Sequence, residues 1–140
     1  RIMAASQAGQ YNLPRMLRRC DFVACDICRA RFIEAVLSTV FLINRKYVPF
    51  YKWAFRAVKQ LPLMGMSVAE KLEHLVSLPL METMPEAVAE PVEGICQEIA
   101  DHLQAEGLLD SNDPWLFAQG PVVQAHIENN ALRSMPPQLE

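Results

Sequence analysis

The longest apolar stretch of this 140-residue chain is Phe32-Ile33-Glu34-Ala35-Val36-Leu37-Ser38-Thr39-Val40-Phe41-Leu42-Ile43. Glu34 is its only charge, and a stretch of about 12 residues is too short for a membrane-spanning helix, which takes about 20. An apolar run inside a longer run of helix formers predicts a buried helix. Because Asp21 is a suitable N-cap and Pro49 a helix terminator, we expect a central helix from Asp21 to about Tyr47.

The rest of the chain also predicts helices, because no stretch alternates apolar and polar residues long enough for a strand. We therefore predict an all-α fold over residues 1–140: one compact bundle of five to seven helices around one long buried central helix. We expect a short helix over 13–19, a helix over 50–61, and a further helix that begins at a Ser67/Glu70 capping box. An irregular linker with Pro79, Pro85 and Pro91 should follow, and then a helix from Pro91 to Gly107. Asp113 should be the N-cap of the next helix, with a break at Gly120 and Pro121 before a last helix.

Overall charge and cysteine content exclude several classes of protein. The net charge is -3 and the pI about 5.6, so a general affinity for nucleic acid is not expected, although a local basic patch stays open. Four cysteines are too few for a disulfide scaffold, which favours a reducing, cytoplasmic location. No segment is typical of a secretory signal or a membrane span.

Three of the four cysteines have a spacing that is typical of iron–sulfur ligands. Cys20, Cys25 and Cys28 follow the C-x4-C-x2-C pattern of iron–sulfur ligands, with Cys96 as a distant fourth. Such a cluster needs an irregular loop, whereas this spacing falls at the start of a predicted helix. Buried or incidental thiols are the alternative.

The histidines belong to three separate predicted helices. Glu98 and His102 are four residues apart and share a helix face, which is compatible with a metal or acid–base pair. The alternative is a solvated face with a local hydrogen bond. The three histidines are His74, His102 and His126.

Cations and aromatic residues are interleaved directly after the central helix. On a helix that begins near Phe50, Lys52, Arg56 and Lys59 share one side. We expect the opposite side, with Phe50, Trp53, Ala57 and Leu61, to face the core. A row of cations backed by aromatic rings can hold a phosphate or a carboxylate. An amphipathic helix with a solvated basic side is the other interpretation.

Glu34 is the second candidate for a functional residue. Arg31, Ser38 and Arg45 fall on the same helix face as Glu34. A carboxylate within an apolar helix is either paired with a cation, here Arg31 or Arg45, or has a raised pKa that suits a general base.

The chain resembles a bacterial family known as domain of unknown function 4037, from about residue 5 to residue 135. The resemblance rests on five segments: Gln7-Ala8-Gly9-Gln10-Tyr11-Asn12, Phe32-Ile33-Glu34-Ala35, the run from Phe41-Leu42-Ile43-Asn44-Arg45-Lys46 to Tyr47-Val48-Pro49-Phe50-Tyr51-Lys52-Trp53, Gly120-Pro121-Val122-Val123-Gln124-Ala125-His126-Ile127, and Ala131-Leu132-Arg133.

The resemblance implies that catalysis and substrate binding are carried out by two different domains. In that family a nucleotidyltransferase-type domain precedes the helical region, which is similar to the C-terminal domains of kanamycin-type nucleotidyltransferases. The preceding domain would supply a Gly-Ser motif and the carboxylates that bind Mg²⁺, and these 140 residues contain neither motif. The chain would then be the C-terminal part of a longer parent protein, without catalytic activity of its own, while the parent would use Mg²⁺ and a nucleoside triphosphate to modify a small-molecule substrate.

The resemblance also implies roles for individual residues. Glu34 would be the general base that activates the acceptor hydroxyl, and the stretch 7–12 would line the cleft. The residues expected to contact the triphosphate or the substrate are Lys52, Arg45, Arg56, Tyr47, Tyr51 and Asn44.

Two other classes stay open at this point. A non-enzymatic helical interaction module would show exposed apolar surface on the first helix or on the proline-rich linker. A metal or redox domain would use the cysteines.

Overall fold

The computed structural model describes residues 1–136, and every regular element in that range is a helix. The prediction of an all-α bundle is confirmed. The helices are α1, one continuous helix made of Ile2–Ala5, the π-helical Ser6–Asn12 and Leu13–Arg18; α2, Phe22–Ile43; α3, Tyr51–Val58; α4, Gly65–Ser77; α5, Pro85–Ala105; α6, Leu116–Ala125; and α7, Asn130–Arg133.

The long helix α2 begins where the sequence predicted and ends earlier. Asp21 is the N-cap, because its side chain accepts a hydrogen bond from the Ala24 amide at 3.1 Å. The helix ends at Ile43 rather than near Tyr47. There the Lys46 amide donates to the Phe41 carbonyl at 2.9 Å, which is the Schellman termination, with Arg45 in the left-handed conformation at φ 55°.

The middle of α2 is buried and packs against α1 along its length and against α3. α5 packs against α4 and α1, and α6 covers the first turn of α1. The residues of α2 that have the least exposed surface are Phe32, Ala35, Val36, Leu37, Ser38, Thr39, Val40 and Phe41.

Helix α1 is longer than predicted. We expected a short helix over 13–19, but the chain is helical from Ile2. Its buried positions before Leu13 include Ala5, Ser6, Ala8 and Gly9, which are small. Small residues give no apolar periodicity, and the π turn changes the helical repeat, so the usual signal is absent.

Gly9 allows the closest approach between α1 and α2. A Cβ at this position would come within 3.0 Å of three carbons of the Phe32 ring, and Phe32 is fully buried. Only glycine lets the ring lie directly on the backbone of α1, so this contact sets the spacing of the two helices.

The predicted capping box is wrong. α4 begins at Gly65, so Ser67 lies inside the helix. Its hydroxyl donates to Glu98 Oε2 at 2.8 Å, and Lys71 Nζ donates to Ser67 Oγ at 2.6 Å and to Glu98 Oε2 at 2.7 Å. These three side chains therefore join α4 to α5 instead of capping a terminus.

Two proline positions also differ from the prediction. Pro91 lies inside α5, which begins at Pro85, and Pro121 lies inside α6. Each proline costs one backbone hydrogen bond, but burial of Val88 and Val92 on both sides of Pro91 stabilises the continuous helix. α5 ends as predicted, with Gly107 at φ 73°.

The predicted N-cap at Asp113 is wrong, because Asp113 lies two positions before the N-cap residue of α6. Asp113 Oδ1 accepts a hydrogen bond from the Trp115 amide at 2.9 Å, and Trp115 is the N-cap residue. None of the helices in residues 1–136 is both long enough and apolar enough to span a membrane.

Replacement of Gly9 by alanine tests the packing of α1 on α2. Gly9→Ala is expected to lower the free energy of unfolding by about 1–3 kcal/mol, because the new methyl group collides with the Phe32 ring. Gly94→Ala is the matched control: its Cβ would lie 3.5 Å from Lys71 Cε, so alanine should stabilise α5 by up to about 1 kcal/mol. Thermal unfolding of both variants measures this difference, and equal effects in the two variants would contradict the close contact.

Candidate functional site

Two adjoining cavities open between α1, α2 and the start of α3. The first has a volume of about 480 Å³ and the second of about 350 Å³, and Glu34 lines both. We call the two together the Glu34 cleft. Besides Arg1 and Glu34, the first is lined by Leu37, Ser38, Val48, Pro49, Tyr51 and Ala54, and the second by Ala4, Gln7, Ala8, Asn12, Cys28, Arg31 and Ala35.

Glu34 lies exposed in the wall of this cleft. Neither Arg31 nor Arg45 forms an ion pair with it within residues 1–136. Arg45 lies 11 residues further along the chain, about 16 Å at the helical rise, whereas Arg31 lines the same cavity. The carboxylate is therefore accessible to a ligand and has a cation and a hydroxyl, Ser38, along the same cleft.

The π-helical segment of α1 supplies the polar wall opposite α2. Gln7 and Asn12 line the second cavity. Gln10 points elsewhere: its Nε2 donates to Glu93 Oε2 at 2.7 Å and to the Pro114 carbonyl at 2.9 Å. π turns occur frequently at functional sites because they displace side chains from the regular helical repeat.

The predicted core face of the helix over 50–61 is half right: Leu61 is buried and Ala57 packs against the core, but Phe50 and Trp53 do not. Phe50 is 63% and Trp53 52% exposed, while Ala54 and Val58 are the buried residues of α3. Since α3 begins at Tyr51, its inner face has a different phase from the one that we expected.

The cations of the predicted row divide into two groups. Lys59 Nζ lies 2.5 Å from Glu73 Oε1 and 4.8 Å from the centre of the Phe55 ring, so it is engaged in the fold. Lys52 Nζ lies 5.5 Å from the centre of the Trp53 ring. Lys52 and Arg56 both remain exposed on α3.

Asn44 and Arg45 have structural positions at the end of α2. The Asn44 amide group donates to the carbonyls of Val40, at 2.8 Å, and Leu63, at 2.9 Å. Its oxygen accepts from the Leu63 amide at 3.0 Å. Asn44 thus attaches the segment before α4 to the end of α2, and Arg45 occupies the left-handed turn position where glycine is usual.

The cysteines do not come together. Cys20 is exposed, Cys28 is partly buried, and Cys25 and Cys96 are buried, all as free thiols. Residues 1–136 contain no group of three His, Cys, Asp or Glu side chains that could hold a metal ion. Burial raises the pKa of the Cys25, Cys28 and Cys96 thiols.

Glu98 and His102 are not hydrogen-bonded to each other as the expected metal or acid–base pair would suggest. The Glu98 carboxylate receives the Ser67 and Lys71 hydrogen bonds described above. A third cavity, of about 490 Å³, lies between α1, α6, α7 and the end of α2. Its lining is mainly apolar, with Arg1, Thr39 and Gln124 as polar members, and includes no carboxylate, histidine or cysteine of residues 1–136. The Glu34 cleft is therefore the candidate site.

An all-helical domain with one polar cleft in its N-terminal part is the class that this geometry defines. The family described as Domain of unknown function (DUF4037) matches the chain over residues 1–54. Every residue that lines the Glu34 cleft lies within that range, whereas the C-terminal segments of the resemblance lie outside it. No curated protein and no solved structure gives a significant match.

The structure brings Ser38 into the cleft beside Glu34, on the helix face where the sequence spacing places it. Ser38 follows Glu34 by one helical turn, so the two side chains share a face of α2.

Thiol labelling tests the placement of the cysteines. An aromatic disulfide reagent should react rapidly with Cys20 alone, since burial and a raised pKa keep Cys25 and Cys96 protonated and shielded until the chain unfolds. Cys28 should react slowly. Cys20→Ser should remove the fast phase, and a fast phase that survives this change would contradict the placement.

Replacement of Arg45 distinguishes a turn residue from a substrate contact. Arg45→Gly should raise the free energy of unfolding by about 0.5–1 kcal/mol, because glycine adopts the left-handed conformation without steric cost. Arg56→Gly, inside α3, should lower it by about 1 kcal/mol. Chemical denaturation measures both, and a loss of stability in Arg45→Gly would refute the assignment.

Proposed function

We propose that this chain is the substrate- and nucleotide-contacting helical domain of a nucleotidyltransferase. Its catalytic half would be an N-terminal domain of a longer bacterial parent protein. The observation that supports this proposal best is the Glu34 cleft, in which an accessible carboxylate lies beside polar side chains. The whole cleft lies within the range that matches the family. The nucleotidyltransferase activity itself rests on the resemblance to kanamycin-type enzymes.

The proposed reaction transfers a nucleotidyl group to a small-molecule hydroxyl. The acceptor oxygen attacks the α-phosphorus of a nucleoside triphosphate, the bond to the β-phosphate breaks, and pyrophosphate leaves. Glu34 would take the proton of the acceptor hydroxyl, as a general base within hydrogen-bonding reach. Mg²⁺ would neutralise the phosphate charge. The resemblance assigns the carboxylates that would hold this ion to the preceding domain.

The surface beside the cleft would contact the phosphates. Lys52 and Arg56 are exposed on α3, and Tyr51 lines the cleft one residue before Lys52. Cations in these positions can stabilise the negative charge of the transferred group. Asn44 and Arg45 are better explained by the turn that they form, and Tyr47 is exposed outside the cleft.

A protein-interaction module is the alternative function, and one observation favours it. Met81 and Met84 on the linker between α4 and α5 are 76% and 69% exposed. They border a cavity of about 410 Å³ against Leu17, Cys20 and Phe22. Exposed methionines beside a groove with apolar side chains such as Leu17 and Phe22 can bind a partner helix. Met81→Ser with Met84→Ser would abolish a stable hetero-oligomer if this alternative is correct.

Pyrophosphate release tests the proposed function. The chain alone, mixed with a nucleoside triphosphate and Mg²⁺, should release none, because it lacks the metal-binding half. In the parent protein, Glu34→Gln should lower kcat by about 10²–10⁴-fold with little change in KM.

Glu90→Gln provides the matched control, since Glu90 is an exposed carboxylate of α5 away from the cleft. It should leave kcat unchanged. Release of pyrophosphate by the isolated chain, or an unaffected kcat in Glu34→Gln, would refute the assignment.

A further inference from the structure

Positive and negative charges are unevenly distributed along the chain, although the net charge is small. Residues 1–69 carry 11 Lys and Arg against 3 Asp and Glu, whereas residues 70–140 carry 2 against 13. The two parts therefore have formal charges of +8 and -11. Between Glu34 and Glu70 there is no carboxylate at all. Such asymmetry indicates an anionic partner for the basic part.

Exposed aromatic rings lie within this carboxylate-free region. We define the aromatic–cationic surface by the rings of the segment before α3 and of its first turn, together with the neighbouring cations. Tyr47 is 98%, Tyr51 76%, Phe50 63% and Trp53 52% exposed. The cations are Lys46, Lys52 and Arg56.

The rings and the cations are interleaved rather than separated. Lys52 Nζ lies 5.9 Å from the centre of the Phe50 ring and 5.5 Å from that of Trp53. The centres of the Phe50 and Tyr51 rings are 4.6 Å apart, with an interplanar angle of 50°. Arg56 follows Lys52 by one turn of α3. Ring faces and positive charges are thus available side by side.

We propose that the aromatic–cationic surface binds single-stranded nucleic acid. The bases stack on Tyr47 and Trp53, and the phosphates contact Lys46, Lys52 and Arg56. Stacking is tolerant of sequence because every base has a π face, and cations follow the backbone. This binding shares Lys52 and Arg56 with the phosphate contacts proposed above, but it requires neither Glu34 nor nucleotidyl transfer.

The surface is larger than a single nucleotide requires. The segment 46–50 contains no regular structure and spans up to about 16 Å when extended. The eight residues of α3 add about 12 Å. Several successive nucleotides fit along this length.

A single strand fits better than a duplex or a membrane surface. Stacking requires unpaired bases, and the acidic part of the chain repels an extended duplex that would reach beyond the patch. Membrane-binding segments place apolar rings on one side and cations on the other, whereas Lys52 lies against the rings themselves.

Tryptophan fluorescence can report the contact directly, because the chain has two tryptophans, Trp53 and Trp115. In Trp115→Phe, a 12-nucleotide oligouridylate should quench the fluorescence of Trp53. In Trp53→Phe, the same strand should leave the fluorescence of Trp115 unchanged. Circular dichroism verifies that both variants are folded.

Fluorescence anisotropy of the labelled strand measures affinity. Tyr47→Ala and Trp53→Ala should each weaken binding by roughly 5- to 150-fold. With about three phosphates neutralised, log K should fall with log salt with a slope of about -2. Arg18→Ala with Arg19→Ala is the matched control, since it removes two exposed cations at the end of α1, outside the surface.

Several results would overturn the proposal. These are equal affinity for a duplex of the same length, equal loss of affinity in the α1 control, or no quenching of Trp53. Quenching by anionic phospholipid vesicles with none by the strand would assign the surface to a membrane. A dimer that Tyr47→Ala with Trp53→Ala dissociates would assign it to a second copy of the chain.

Discussion

The contact between the Phe32 ring and the backbone at Gly9 determines how the rest of the molecule is arranged. A buried aromatic ring on α2 lies where a side chain of α1 would otherwise be. The two helices therefore pack with their backbones close together, and the π-helical segment of α1 is held along α2. Since Gln7 and Asn12 belong to that segment and Glu34 follows Phe32 by two residues, the same contact brings them into one cleft.

The second half of the chain supports α1 from the other side. Gln10 donates to Glu93 and to the Pro114 carbonyl, and it accepts from the Leu116 amide at 3.3 Å. One side chain thus connects the π-helical segment to α5 and to the first turn of α6. The family match ends at residue 54, yet the helix that lines the cleft depends on residues beyond that point. The acidic half therefore supports the helix that lines the cleft.

The main features of the fold could be predicted from the sequence where burial is carried by large side chains. The apolar run of α2 and its Asp21 cap gave the right helix, because both signals are local. The first half of α1 was not predicted. Its buried residues Ala5, Ala8 and Gly9 are small and not strongly apolar, so they produce no clear helical periodicity. The phase of α3 was wrong because a helix of eight residues has too few apolar positions to fix its buried face before its start is known.

The sequence identified some residues of the candidate site but not their positions relative to one another. Glu34 was identified as the lone charge of the apolar stretch. Its exposure depends on the position of α3, and no local sequence pattern specifies that position. Asn44 and Arg45 were expected to contact a ligand on the basis of the family resemblance. Their role becomes visible only when the turn that ends α2 is known, as three hydrogen bonds of Asn44 and a positive φ at Arg45.

The central claim is that ligands meet this chain on the basic half and not on the acidic half. A two-dimensional ¹H–¹⁵N NMR titration of the isotopically labelled chain, first with a nucleoside triphosphate and then with a short single strand, tests it most directly. The account predicts shift changes confined to residues 7–12, 31–38 and 46–56. Changes centred on residues 81–106, or none with either ligand, would contradict it.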